Sequence, residues 1–140
     1  MTSPRLVLLD DDLVWLRVLR RALERAGCAV RAFSEPSELL AALAEDGPAI
    51  VVLDYMLAGT TGAEVARTIH ARQLPFARMI LLSGSVELVA SEERPLFDLV
   101  LDKASGTAAI VEQLRSMWTP RRPGKSGTAL RAVRPNRKAR

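Results

Sequence analysis

Four apolar runs of strand length each end on groups that can do chemistry. The run 6–9 stops at Asp10, Asp11 and Asp12, and Ala49-Ile50-Val51-Val52-Leu53 stops at Asp54. Residues 79–82 lead to Ser83, and Leu99-Val100-Leu101 leads to Asp102 and Lys103. Carboxylates from two neighbouring strand ends repel one another and bind protons more tightly unless a cation lies between them. Mg2+ fits such a set best, because it takes one or two carboxylates, keeps several waters and leaves room for phosphate oxygens. A lysine ammonium beside the group pairs with a carboxylate or with a phosphoryl group on it, and a serine hydroxyl donates to a phosphoryl oxygen. Together these residues describe an aspartate, Asp54, acting as nucleophile toward phosphorus with electrostatic help.

These side chains meet only if the strands place them on one edge. Strands are expected at 5–9, 29–33, 49–54, 78–83 and 97–101, and helices at 13–26, 35–45, 62–72 and from 105 or 107 to 118. The stretch 86–94 is expected as a weakly patterned fourth helix limited by Pro95, which makes five helices in all. Ser34 is the expected cap of the second helix, with Pro36 in its first turn. Strands alternating with helices imply an α/β fold with a parallel sheet, right-handed crossovers and helices on both faces. The flavodoxin-like doubly wound order 2-1-3-4-5 puts the first and third strands side by side at the switch point, where ligands collect. That order brings Asp10 and Asp11 beside Asp54, with Ser83 and Lys103 reaching the same edge.

With 140 residues and 49% hydrophobic content, the chain suits one domain and a tail. The net charge of +4 conceals an asymmetry. Arg121, Arg122, Lys125, Arg131, Arg134, Arg137, Lys138 and Arg140 all lie in 119–140 with no acidic residue to offset them, so residues 1–118 carry −4. We expect a domain over 1–118 and a basic, disordered tail over 119–140. The tail reads as a solvated appendage, a patch for an acidic partner, or a nucleic-acid arm. The last is disfavoured because no aromatic residue is interleaved for base stacking. No run is long enough to cross a membrane, and no apolar secretion segment precedes the first strand, so a cytoplasmic protein is expected. Cys28 is the single cysteine, which leaves no internal disulfide and no cysteine metal cluster; it reads as a small buried residue at a helix end. His70 reads as a surface residue, and Trp15 and Trp118 as helix-packing residues. A dinucleotide site is excluded because three aspartates stand where a glycine-rich turn belongs. A dehalogenase-type phosphatase is disfavoured by Met56 where its second acid belongs.

Leu9-Asp10-Asp11-Asp12, Leu53-Asp54 with Gly62 eight residues on, Leu82-Ser83-Gly84 and Leu101-Asp102-Lys103 together resemble the motif set of the receiver domain of two-component response regulators, the fold of the chemotaxis response regulator. The resemblance covers residues 5 to about 118. It implies that Asp54 is the phosphoacceptor, that Asp10, Asp11, Asp54 and the Met56 carbonyl hold Mg2+, and that Ser83 and Lys103 contact the phosphoryl group. It implies a stand-alone signalling phosphoacceptor rather than an enzyme, with at most Mg2+-dependent self-phosphorylation and autodephosphorylation. Its donor would be a histidine kinase or a histidine phosphotransfer protein, and its output would be protein–protein interaction, including a homodimer through the fourth helix, fifth strand and fifth helix. The sequence departs from the family pattern at Ala58 and Ala104, where prolines are usual, and at Val100, where an aromatic is common. The interval from Ser83 to Lys103 is also short. These departures support an alternative, a receiver-like interaction module that works without phosphate, its basic tail binding an acidic partner or nucleic acid.

Overall fold

The computed structural model describes residues 4–118; the expected tail, 119–140, lies outside the described residues. The chain opens with β1 (Arg5–Leu9), α1 (Leu13–Arg25), β2 (Ala29–Phe33), α2 (Pro36–Asp46) and β3 (Ile50–Asp54). A small hairpin of β4 (Met56–Leu57) and β5 (Thr60–Thr61) precedes α3 (Gly62–Ala71), β6 (Arg78–Ser83), β7 (Leu99–Asp102) and α4 (Thr107–Trp118). The main sheet is parallel, in the order β2-β1-β3-β6-β7. Counting only its five strands, this is the flavodoxin-like 2-1-3-4-5 arrangement.

The central strands bury both faces, which is why they read as unbroken apolar runs. Every residue of β3 is buried. Val7, Leu9, Val51, Leu53, Met79 and Leu81 face a core built with α2 and α3. Leu6, Leu8, Ile50, Val52, Ile80 and Leu82 face the opposite core, built with α1 and α4. Cys28 is buried in that second core as expected, with its thiol against the Pro4 carbonyl.

The expected fourth helix does not form. Between β6 and β7 the described backbone makes two short 3-10 turns, Val86–Leu88 and Arg94–Leu96. Pro95 lacks the N–H that a longer helix would need there, and Arg94 opens only the second 3-10 turn. Val86, Val89 and Ala90 stand at helical spacing, but the apolar pattern does not continue through Ser91, Glu92, Glu93 and Arg94. Instead Val89 and Phe97 plug the core individually, while Leu88 stays exposed. The last strand starts two residues later than expected because Phe97 is used as that plug. Asp98 then closes onto the start of β6, donating its own N–H to the Met79 carbonyl and accepting the Met79 N–H at 2.8 Å. The interaction face expected from the fourth helix, fifth strand and fifth helix is therefore made of these turns, β7 and α4.

Two local expectations are also corrected. Glu35, not Ser34, stands at the cap position of α2, with no side-chain cap bond; Pro36 begins the helix, so Ser34 lies one residue too early. His70 is half-buried rather than on the surface: its Nε2 lies 3.4 Å from the Leu96 carbonyl and its ring packs edge-on against Phe76. α3 thereby holds the second 3-10 turn.

Candidate functional site: an acidic pocket at the sheet edge

Strand register assembles the site. Leu9 pairs with Leu53, so Asp10 and Asp54 emerge side by side at the carboxyl ends of β1 and β3. Asp54 pairs with Leu82, which sets Ser83 one step further along β6. Ser83 pairs with Asp102, leaving Lys103 just beyond β7. Among the described residues, Asp10, Asp54 and Ser83 are the buried polar ones. Burying such groups costs free energy unless they are paired.

Lys103 supplies that pairing. Its Nζ donates to Asp10 Oδ2 at 2.8 Å and lies 3.0 Å from Asp54 Oδ1, bridging two strands across 93 residues of sequence. The second oxygen of Asp10 accepts the Asp12 N–H. Asp12 caps α1 by accepting from the N–H groups of Val14 and Trp15, so the aspartate run divides into a buried carboxylate, an exposed one and a helix cap. Exposed Asp11 accepts the Ala58 N–H at 2.8 Å and thereby ties the β4–β5 hairpin over the pocket. Met56 lies in that hairpin, paired with Thr61 and with its side chain exposed. Ser83 Oγ accepts the Ser85 N–H at 3.0 Å, which leaves its hydroxyl hydrogen to donate.

Burial pushes the Asp54 carboxyl up to about 6; the hydrogen bond from Lys103 pulls against this, and the charge of Asp10 adds to it. For Lys103, burial acts to lower the ammonium, but the hydrogen bonds and charges of Asp10 and Asp54 outweigh it and the net direction is upward. The ammonium therefore stays charged at neutral pH. One oxygen from each of Asp10, Asp11 and Asp54 lies within 4.8 Å of the others. Three hard oxygen donors on two rigid strand ends, open on the Asp11 side, fit a small divalent ion that keeps part of its water.

Asp10, Asp11, Asp54 and Lys103 thus converge as expected from the sequence, while Ser83 is set on the same sheet edge by register. What sequence reasoning missed is the surrounding support. Asp12 carried a readable signal, an aspartate directly before a helical apolar pattern. The hydroxyl of Tyr55, the residue after Asp54, donates to Glu93 Oε1 at 2.8 Å, and Arg67 lies 3.7 Å from the other Glu93 oxygen. No local signal announces that contact.

The doubly wound sheet and its lysine-bridged acidic pocket define a class, and comparison with known proteins agrees. The model of the response regulator receiver domain family matches residues 6–115, and the chain belongs to that family. The transcriptional regulatory protein AfsQ1 of Streptomyces coelicolor is 32% identical over 104 residues, 74% of this chain and 46% of AfsQ1. The chain therefore spans about half the length of that relative. The response regulator TrrA of Thermotoga maritima, solved in complex with Mg2+–BeF, superposes with a TM-score of 0.71 at 21% identity, covering 82% of this chain and 99% of TrrA. TrrA in complex with the histidine kinase ThkA superposes equally well, at 0.71 and 20% identity over 84% of this chain and 100% of TrrA.

Receiver domains are signalling phosphoacceptors that bind Mg2+ at an acidic pocket and partner with histidine kinases; among the described residues Asp10, Asp11 and Asp54 form an acidic cluster that could hold a metal ion. No helix among the described residues is long and apolar enough to cross a membrane.

Proposed function

We propose that Asp54 accepts a phosphoryl group from a phosphohistidine of a histidine kinase or histidine phosphotransfer protein in the cytoplasm. A carboxylate oxygen of Asp54 forms the new O–P bond as the N–P bond breaks, and the departing imidazole nitrogen keeps the electron pair. Asp10, Asp11, Asp54 and the Met56 carbonyl would hold Mg2+, which when bound neutralises charge on the transferring group. Lys103 supplies a fixed positive charge at the other side, and the Ser83 hydroxyl donates to a phosphoryl oxygen. The observation that carries this reading is the Lys103 ammonium set between Asp10 and Asp54, at 2.8 and 3.0 Å. An ammonium held there can follow the negative charge from carboxylate to phosphoryl oxygen without crossing the pocket.

The added charge would shift a two-state equilibrium felt by the 84–98 segment, β7 and α4, and so alter protein binding. The test is to mix the protein with Mg2+ and a small-molecule phosphodonor and record intact mass. The expected result is an increment of one phosphoryl group, abolished in Asp54→Asn. No increment, with the cognate kinase also present, would refute it and favour the second reading, an interaction module independent of phosphate. Specific observations support that alternative: the missing fourth helix and the aliphatic Val100 on β7.

A further inference from the structure

Lys103 has a third neighbour. Besides Asp10 and Asp54, its Nζ faces the ring of Trp15, 5.4 Å from the centroid, within the range where a cation is attracted to an aromatic face. The placement follows from the chain. Asp12 caps α1 through the Val14 and Trp15 N–H groups, fixing the first helical turn beside the strand ends. Trp15 then packs on the core shared by α1 and α4, the side of the sheet on which Asp10 and Asp54 continue the alternation of Leu8 and Val52.

We infer that Trp15 is a positioning residue for Lys103, its indole face holding the ammonium over the acidic pocket while the charge on Asp54 changes. The inference rests on the phosphoacceptor reading of the site. A lysine head on a four-carbon stem is intrinsically mobile, and Lys103 springs from a short 3-10 turn, Lys103–Ser105. That turn is secured at its base, where Asp102 Oδ1 accepts the Ala104 N–H at 2.8 Å. The base is thus held by Asp102 and the head by two carboxylates. When a phosphoryl group draws one donor away from Asp54, the indole still restrains the head, because a π face attracts the cation whichever acceptor its hydrogens address. The Trp15 Nε1–H is buried with no hydrogen-bond partner among the described residues. The ring is therefore held through its face, and a ring without the N–H should serve as well.

Trp15→Phe keeps a π face, whereas Trp15→Leu and Trp15→Met keep apolar bulk without one; circular dichroism identifies which variants fold. With Mg2+ and a small-molecule phosphodonor, the maximal rate of phosphoryl uptake should stay within about twofold of wild type in Trp15→Phe. It should fall about five- to tenfold in the aliphatic variants, tenfold corresponding to about 1.4 kcal/mol, a contact of cation–π size. The Mg2+ concentration giving half-maximal rate should not change, because the Trp15 side chain makes no hydrogen bond to Asp10, Asp11 or Asp54. Aliphatic variants as fast as Trp15→Phe would overturn the inference.

A second readout needs no phosphoryl transfer. In a Trp118→Phe background, which leaves Trp15 as the sole tryptophan, Lys103→Met should change the indole emission of the unphosphorylated protein. Unchanged emission would also overturn the inference. If wild type takes up no phosphoryl group, the phosphoacceptor reading fails, and the emission experiment still decides whether Trp15 holds Lys103.

Discussion

Gly62 offers the sharpest test of how the fold holds its phosphoacceptor. It opens α3 in ordinary helical geometry, since the positive-φ glycines are Gly27, Gly47, Gly59 and Gly106. Its requirement is space. A Cβ there would sit 2.4 Å from the Asp54 backbone oxygen and 2.9 Å from Leu81 Cδ1, about 1 Å short of ordinary contact with the oxygen. Leu81 can turn aside, but the Asp54 carbonyl cannot, because the adjacent Tyr55 carbonyl accepts the Gly62 N–H at 2.8 Å. Gly62→Ala must therefore lift α3 or displace the end of β3. Overpacking against backbone falls in the upper part of a range of about 1–3 kcal/mol, and the better helix propensity of alanine returns up to about 1 kcal/mol. A net loss of about 1–2 kcal/mol lowers the Tm of a domain this small by roughly 4–10 °C. Moving Asp54 by a fraction of an ångström also spoils its 3.0 Å approach to Lys103, and a 1 Å misplacement costs up to about a hundredfold in rate. Thermal unfolding followed by circular dichroism, with phosphoryl uptake measured on the folded fraction, reads both effects. A variant that melts within one degree of wild type and takes up phosphate equally fast would refute the reasoning.

Two further outcomes follow from side chains away from the pocket. Tyr55 is the only tyrosine, and its hydrogen bond to Glu93 raises the phenol above its ordinary value. Since the folded state holds that proton more tightly, the stabilisation is complete below the ordinary phenol range and is lost as pH rises through the folded value. Ultraviolet titration should show this upward shift, and Glu93→Gln should reduce it; an unshifted wild-type titration would contradict the bond. Burial, with Glu24 nearby, pushes the Cys28 thiol up to about 12. Only a thiolate attacks a disulfide reagent, so at pH 8 the folded protein should react far more slowly than free cysteine, by at least roughly tenfold. Urea should restore the rate, and fast labelling of the native protein would show that Cys28 is not buried.

Much of this fold is written in local pattern. The apolar runs at Leu6, Val51 and Ile80 declare strands covered on both faces, and the spacing of Leu16, Leu19 and Leu23 declares α1. The charged or hydroxyl group that ends each run marks the sheet edge where chemistry collects. The stretch 86–94 reads as a weakly patterned helix, yet its apolar pattern ends at Ala90, too soon to make a continuous face. In the folded chain Val89 and Phe97 find the core one at a time, and a turn serves them better than a helix. Ser34 was misread for a smaller reason, a proline whose preference for the first helical position moved the boundary by one residue.

Sequence alone therefore settled which residues end the strands and which chemistry their types allow, because apolar runs and helical periodicity reflect burial among residues close in the chain. Tertiary structure decided what those residues touch: Lys103 reaching Asp10, Trp15 lying under the ammonium, and Tyr55 bound to Glu93 across 38 residues. Such contacts depend on register and on how helices settle against the sheet. A charged head on a long stem, or a ring on a helix, carries no local mark of the partner it will meet.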